Sequence, residues 1–329
     1  HTWNVKRLKP RDFAPLDYAR ENYTELLWFF EGFTSYYDDL LLVRAGLIDE
    51  ARYLKLLAKT LTGVLGTPGR QVQSVAQASF DAWVKYYRGD ENTPNATVSY
   101  YTKGSLVALA LDLTLRSGGS GTLDDVMRAL WASSGGGPIS EADIAQALDA
   151  VAGRSLAREL HAFVHGTDDL PLAELLQRFG VDWQHHPATA PLRLGLRASE
   201  SALTGVKATH VLRGGAAEAA GVCAGDELLA VDGWRIRRLD DALRLLEPGA
   251  ASPLLVSRDQ RVLSLSLELP EAQATAGNVT LAPDARPARA ATALRRAWMS
   301  GWFHAGRGPW ATRPRPCCVR RASARATTC

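Results

Sequence analysis

A mainly α-helical body, then a small β-rich domain, then a disordered tail is the fold class this sequence predicts. Three observations carry the prediction. Apolar residues recur at helical spacing from Glu25 to about Phe179. After His186-Pro187 the pattern changes to short, β-type runs punctuated by glycine, the last of which alternates with period two. From Glu271 the composition shifts to Ala, Arg, Pro and Thr, a mixture that buries too little apolar surface to offset its ordering entropy. The expected units are therefore 1–186, 187–270 and 271–329.

Within the first unit, Glu25 to Ala45 reads as one helix stopped by Gly46, and Asp49 is a natural N-cap for the next, whose apolar stripe is Leu54, Leu57, Ala58 and Leu61. Residues 71–88 continue the helical pattern up to the break GDENTPN at 89–95. A helix from about Tyr101 to Arg116 follows, then a Gly/Ser loop, a helix over 124–133, and another opened by Ser140 with Asp143 three positions later. Leu156–His165 and Leu172–Phe179 complete the bundle, and His185-His186 read as linker. In the second unit the runs RLGLRA, GVKATHVL, DELLAVDG, SPLLVSR and VLSLSLEL read as strands, with Asp232-Gly233 a tight turn. In the tail, residues 294–298 are the piece with apolar residues to dock.

Composition excludes several classes. Hydrophobic content of 46% and charged content of 22% are those of an ordinary globular chain. The tail holds ten Arg against Glu271 and Asp284, a net +8, which leaves −5 for the rest of a chain whose total is +3. Ten arginines without a groove-reading helix do not specify nucleic acid, so no nucleic-acid partner is expected. The four cysteines, Cys223, Cys317, Cys318 and Cys329, form neither a disulfide framework nor a Cys-x-x-Cys metal pattern. No apolar run reaches the length of a membrane span, and no compartment is assigned: cytoplasm and periplasm both stay open.

The chemistry concentrates in two short segments. The chain opens His1-Thr2-Trp3-Asn4-Val5-Lys6-Arg7, and Glu31 sits between Phe30 and Gly32-Phe33 in a strongly apolar stretch. A carboxylate in such surroundings needs a partner or a metal. The pairing of HTWNVKR with EGFTSYY resembles the glycyl aminopeptidase family, bacterial gluzincin-type zinc metallopeptidases that carry a PDZ domain. In that family an H-E-x-x-H motif runs directly into the W-N-V-K-R segment. The resemblance implies that the chain begins at the second His, with the first His and the catalytic Glu ahead of it. It implies a zinc ion (Zn) held by His1 and Glu31, with one coordination position open for water or substrate. It implies the distal half of a thermolysin-like catalytic domain, hydrolysis of peptide or protein substrates by zinc-activated water, and a preference for N-terminal Gly or Ala.

Tyr100-Tyr101-Thr102-Lys103-Gly104 is similar to the Y-x-K-G signature of related gluzincin aminopeptidases, in which the tyrosine contacts the oxyanion of the tetrahedral intermediate. The matching position is Tyr101, and a phenol there would stabilise charge that develops only in the transition state. His161 and His165 lie one helical turn apart but lack the Glu that follows the first His of a zinc motif, so they read as surface or core histidines. GTDDLPL at 166–172 resembles a helix-end segment of the same family and argues for a structural role there.

The second unit resembles a bacterial PDZ domain through Leu194-Gly195-Leu196 and VLRGGAAEAAGVCAGDELLAVDGWRI at 211–236. The resemblance implies a C-terminal peptide ligand added as a strand, its carboxylate held by N–H groups of Leu194, Gly195 and Leu196, with a helix at 239–246 flanking the groove. Two readings therefore stand: a truncated zinc aminopeptidase that is inactive as given, or a non-catalytic PDZ peptide-binding fragment.

Overall fold

The computed structural model describes residues 1, 3–187, 190–201, 205–271 and 274–300. After a short edge strand β1 (Lys9–Pro10), the body begins with α1 (Leu27–Phe30) and α2 (Gly32–Arg44), which meet at Glu31. The continuous helix expected over 25–45 is thus two helices with the acidic residue at the joint. Asp49 accepts the backbone N–H of Arg52 and starts α3 (Glu50–Leu65). Ser74 and Gln77 form a reciprocal cap for α4 (Val75–Phe80). This helix is much shorter than the 71–88 pattern suggested: Trp83, Val84, Tyr86 and Tyr87 are exposed and do not continue a buried stripe. A single turn α5 (Thr93–Ala96) leads to α6 (Thr102–Gly118), which runs through the centre of the core and stops at left-handed Gly119.

Thr122 with Asp125, and Ser140 with Asp143, make capping boxes for α7 (Leu123–Ser134) and α8 (Glu141–Ala152). Between them β2 (Pro138–Ile139) pairs in parallel with β1. Helices α9 (Ala157–Val164) and α10 (Leu172–Arg178) close the bundle. Strand β3 (Val181–Pro187) then carries the chain out of it. His185 and His186 therefore belong to a paired strand rather than to a linker; His186 Nε2 lies 2.7 Å from Thr280 Oγ1.

The second unit contains α11 (Ala190–Leu194), β4 (Leu196–Ser201), β5 (Gly205–Val211), α12 (Ala216–Ala219), β6 (Glu227–Val231), β7 (Trp234–Arg235), α13 (Leu239–Leu245), β8 (Ala251–Arg258) and β9 (Arg261–Glu268). Its antiparallel sheet has the order β4-β5-β6-β8-β9, with β7 hairpinned onto β6, and encloses a core separate from that of the bundle. Asp226, just before β6, is fully buried. It accepts Arg258 Nε at 2.8 Å and the Cys223 N–H at 2.8 Å.

The tail departs from expectation. β10 (Ala274–Pro283) pairs antiparallel with β3, and α14 (Arg289–Ser300) returns to the bundle. The β-rich domain is therefore an excursion between two strands of one ribbon. Composition alone suggested disorder, but the apolar piece at 294–298 does dock, and a single side chain supplies much of the contact. Trp298 is fully buried between Tyr53 and Phe179 and donates its indole N–H to Tyr36 Oη at 2.9 Å. Arg295 adds an ion pair with Glu50 at 2.7 Å. Residues 301–329, with Cys317-Cys318 and the rest of the expected disordered tail, lie outside the described residues. No helix among the described residues is long and apolar enough to cross a membrane.

Trp298→Ala should cost about 3–5 kcal/mol, read by denaturant unfolding of the chain; an unchanged midpoint would mean that α14 does not dock. Asp226 gives a pH test. Burial alone would raise its carboxyl, but Arg258 and the Cys223 N–H outweigh burial and hold it below its usual value. Its contribution is complete above the ordinary carboxylate pKa of about 4 and is lost as pH falls through the lowered folded value. Thermal melts between about pH 5 and pH 2 should therefore fall more steeply for wild type than for Asp226→Asn.

Candidate active site

The site is assembled where the first residues of the chain meet the α1–α2 joint. Trp3 O accepts the N–H groups of Arg7 and Leu8, folding the opening segment into a turn. Val5 sits in that turn at φ +71°, a strained conformation for a β-branched residue. Asn4 is buried, and its Nδ2 lies 3.5 Å from Thr34 Oγ1, whose hydroxyl donates to Phe30 O at 2.6 Å. These contacts hook the opening turn onto the first turn of α2.

His1 is thereby set against Glu31, with Nε2 3.1 Å from Oε2. That oxygen is buried, and among the described residues it has no hydrogen-bond donor apart from the approach of His1. Burial raises the Glu31 carboxyl above its usual range; the neighbouring amino group opposes the shift and Asp38 adds to it. A cavity of about 410 Å³ opens beside the pair, lined by His1, Trp3, Asn4, Tyr37, Asp38 and Leu41 among others.

Tyr101 precedes α6 and is half-buried, whereas Tyr100 is in the core. Burial first, and then the negative charge of Glu31, push the Tyr101 phenol well above its ordinary value. It therefore stays protonated at neutral pH and can act as a hydrogen-bond donor. The two motif glycines explain why Tyr101 and Glu31 sense one another. A Cβ on Gly32 would stand 2.5 Å from the Gly104 carbonyl carbon, and one on Gly104 would stand 2.7 Å from Trp28 O. The helix starts cross backbone to backbone, one residue after Glu31 and three after Tyr101. Sequence reasoning missed this crossing; the glycine in each motif was the available signal.

Lys103 of the same motif has a different job. Its buried Nζ donates to Arg70 O at 3.0 Å, and burial lowers its pKa. Arg70 in turn makes a two-point ion pair with Asp169 in the GTDDLPL segment. That segment therefore braces the turn beneath α6.

The donor set at Glu31 suits zinc. An imidazole nitrogen and a carboxylate oxygen are ordinary zinc ligands, and the buried, underused Glu31 Oε2 is the kind of atom a cation would satisfy. The set is two donors, not three: no group of three or more His, Cys, Asp or Glu among the described residues is placed to hold a metal. His161 and His165 stack at 5.3 Å, and His165 Nε2 lies 2.8 Å from Glu141 Oε1, which accounts for the second ring by a local ion pair.

In the β-rich domain, β4 is an edge strand, and α13 is tied to it by the Leu239 N–H donating to Glu200 Oε1 at 2.9 Å. Leu194 and Leu196 are buried in the local core. Gly195, at φ +64°, lies against Gly215, where a Cβ would come within 2.7 Å of Cα. Its N–H donates to Leu192 O at 3.1 Å and its carbonyl accepts from Leu212. A ligand carboxylate would compete with that first bond for the Gly195 N–H. The domain is latched to the bundle by Asn95, whose side chain donates to Val211 O and accepts from the Arg213 N–H, both at 2.8 Å.

Comparison with known proteins bears on both regions. Residues 1–107 match the family model of the M61 glycyl aminopeptidases, and residues 208–259 match that of the PDZ domain. No curated protein matches the chain. A crystal structure of an aminopeptidase N family protein from Idiomarina loihiensis is 34% identical, covers 91% of this chain and 53% of its own, and superposes with a TM-score of 0.81. The chain thus spans about half the length of that protein. The HtrA-type protease AlgW with decapeptide overlaps 32% of this chain and 29% of its own at 24% identity, with a TM-score of only 0.19.

Gly104→Ala should force α6 away from α1, destabilising the chain by about 1–3 kcal/mol. A urea midpoint equal to that of wild type would show that the crossing is looser than described.

Proposed function

We propose that this chain, which carries a segment of the M61 glycyl aminopeptidase family followed by a PDZ domain, is part of a zinc-dependent aminopeptidase acting on peptides with N-terminal Gly or Ala. The observation that carries the reading is the approach of His1 Nε2 to the buried Glu31 Oε2, with a protonated Tyr101 in the field of the same carboxylate. His1 and Glu31 would hold the metal. When bound, it supplies Lewis-acid polarisation of the scissile carbonyl and a water of lowered pKa.

This chain's own residues do the rest of their share by position. The Trp3–Leu8 turn and the Asn4–Thr34 contact keep the His1 ring against Glu31. Burial around Glu31 keeps competing water from its inner oxygen. Tyr101 donates its O–H to the oxygen on which negative charge develops, an interaction stronger in the transition state than in the ground state. The Gly32–Gly104 crossing sets how far that donor lies from Glu31. The third metal ligand and the general base are assigned to sequence beyond this chain, as in the H-E-x-x-H pattern. The PDZ domain is assigned an extended peptide laid along the outer edge of β4 beside α13.

The test uses the full reading frame that contains this chain. Wild type should bind about one zinc per chain and release N-terminal Gly or Ala. Glu31→Ala should lose both, with at least a 100-fold fall in activity. A wild-type product that is zinc-free and inactive would overturn the peptidase reading. Peptide binding at β4 would then be the function to pursue.

A further inference from the structure

We propose that Tyr86 and Tyr87 are positioning residues for Tyr101: the ring of Tyr86 packs against its ring, and the hydroxyl of Tyr87 holds Tyr100, the other ring packed on it. The proposal rests on the peptidase reading for its catalytic consequence, and on the structure alone for the contact itself.

The segment Trp83-Val84-Lys85-Tyr86-Tyr87 is an anomaly of the body. Four of its five residues are large and apolar or aromatic, yet all four are exposed; Tyr87 is 61% exposed. Such a concentration in one turn is unfavourable unless it serves a contact. The turn is also firmly held. Asp81 Oδ2 accepts from Lys85 Nζ at 2.7 Å and from Gln73 Nε2 at 2.9 Å, and the N–H groups of Lys85 and Tyr87 donate to the carbonyls of Asp81 and Ala82. Behind it, Ser79 Oγ accepts the N–H of Trp28 at 2.9 Å. The turn is therefore fixed to α1, the helix that ends at Glu31.

What this turn presents to the site is Tyr86 and Tyr87. The Tyr86 ring lies 5.7 Å from that of Tyr101 and 4.9 Å from that of Tyr100, while Tyr100 and Tyr101 stand 4.8 Å apart. These spacings are those of favourable aromatic pairs. Tyr101 is only half-buried, so without Tyr86 one side of its ring would be open to solvent. The Tyr100 ring, the second one against Tyr101, is held by the same turn: its hydroxyl donates to Tyr87 Oη across 3.4 Å. A ring packed against two others is confined to a narrow arc. Preorganisation of this kind is what makes an oxyanion donor effective, because no reorganisation is needed as charge develops. Tyr100 is in the core and does structural duty as well; Tyr86 and Tyr87 are exposed, which leaves their substitution readable.

The experiment pairs kinetics with a structural readout. In the full reading frame, Tyr87→Phe should lower kcat about 10-fold with KM little changed, as expected for an interaction felt only in the transition state. Tyr86→Leu should do the same, and Tyr86→Phe, which keeps the ring, should restore the rate. In a Tyr101→Phe background both substitutions should cost less than about twofold, because residues acting through a common partner are not additive. Equal losses in the two backgrounds, or no rescue by Tyr86→Phe, would mean a merely structural role and overturn the proposal. If the wild type proves inactive, the peptidase reading fails separately, and carbon NMR of the tyrosine-labelled chain decides the positioning. The Tyr101 ring signals should move in Tyr87→Phe and in Tyr86→Leu. Unmoved signals would show that neither residue holds Tyr101.

Discussion

The backbone contact between Gly32 and Gly104 is the constraint around which the site is organised. Two helix starts can approach this closely only if neither carries a side chain at the crossing. The polar residues that matter sit just outside it: Glu31 one residue before Gly32, and Tyr101 three before Gly104. No side chain lies between the two backbones, so the separation of the Glu31 and Tyr101 backbones is set by two peptide chains in contact. His1 and Asn4 are then fastened to the first turn of α2, so all the site residues share one frame.

The opposite face of α2 is held by a different kind of interaction. Asp112 on α6 is buried and accepts from Tyr36 Oη at 2.6 Å, from Arg116 Nε at 2.9 Å and from the Leu123 N–H at 2.8 Å. Arg44, at the end of α2, grips Asp124 with Nη1 and also donates to Trp298 O. Buried pairs of this sort add little net stability compared with apolar packing, but breaking one leaves an uncompensated charge, so they lock a particular arrangement. Here the arrangement joins α2, α6, α7 and α14. The helix that begins at Glu31 is braced in front by the glycine crossing and behind by the last helix of the described chain.

This brace gives the PDZ domain its place. The chain leaves the bundle on β3 and returns on β10, and the two strands pair along most of their length. Together with the Asn95 latch, the ribbon seats the domain against the bundle rather than hanging it from one flexible linker. Thr62 adds a further tie, its hydroxyl accepting the Val279 N–H at 3.1 Å.

Local signals in the sequence were enough for the helix caps at Asp49 and Ser140, because capping is settled within four residues. They were enough for the change of period near 187, and for the motifs that singled out His1, Glu31 and Tyr101. They marked residues 294–298 as the piece of the tail to dock but not the partners of Trp298, since Tyr36, Tyr53 and Phe179 lie more than a hundred positions away. Nor could they show that the helical pattern over 71–88 ends in an exposed aromatic turn, since periodicity does not reveal which face meets the core. The sequence by itself determined the helix caps, the change from a helical to a β-type pattern and the residue kinds suited to the chemistry, all of which follow from short-range backbone and side-chain preferences. Only the tertiary structure decided that Gly32 meets Gly104, where the tail meets the bundle and that the rings of Tyr86, Tyr100 and Tyr101 pack together, because each depends on contacts between segments that no local pattern relates.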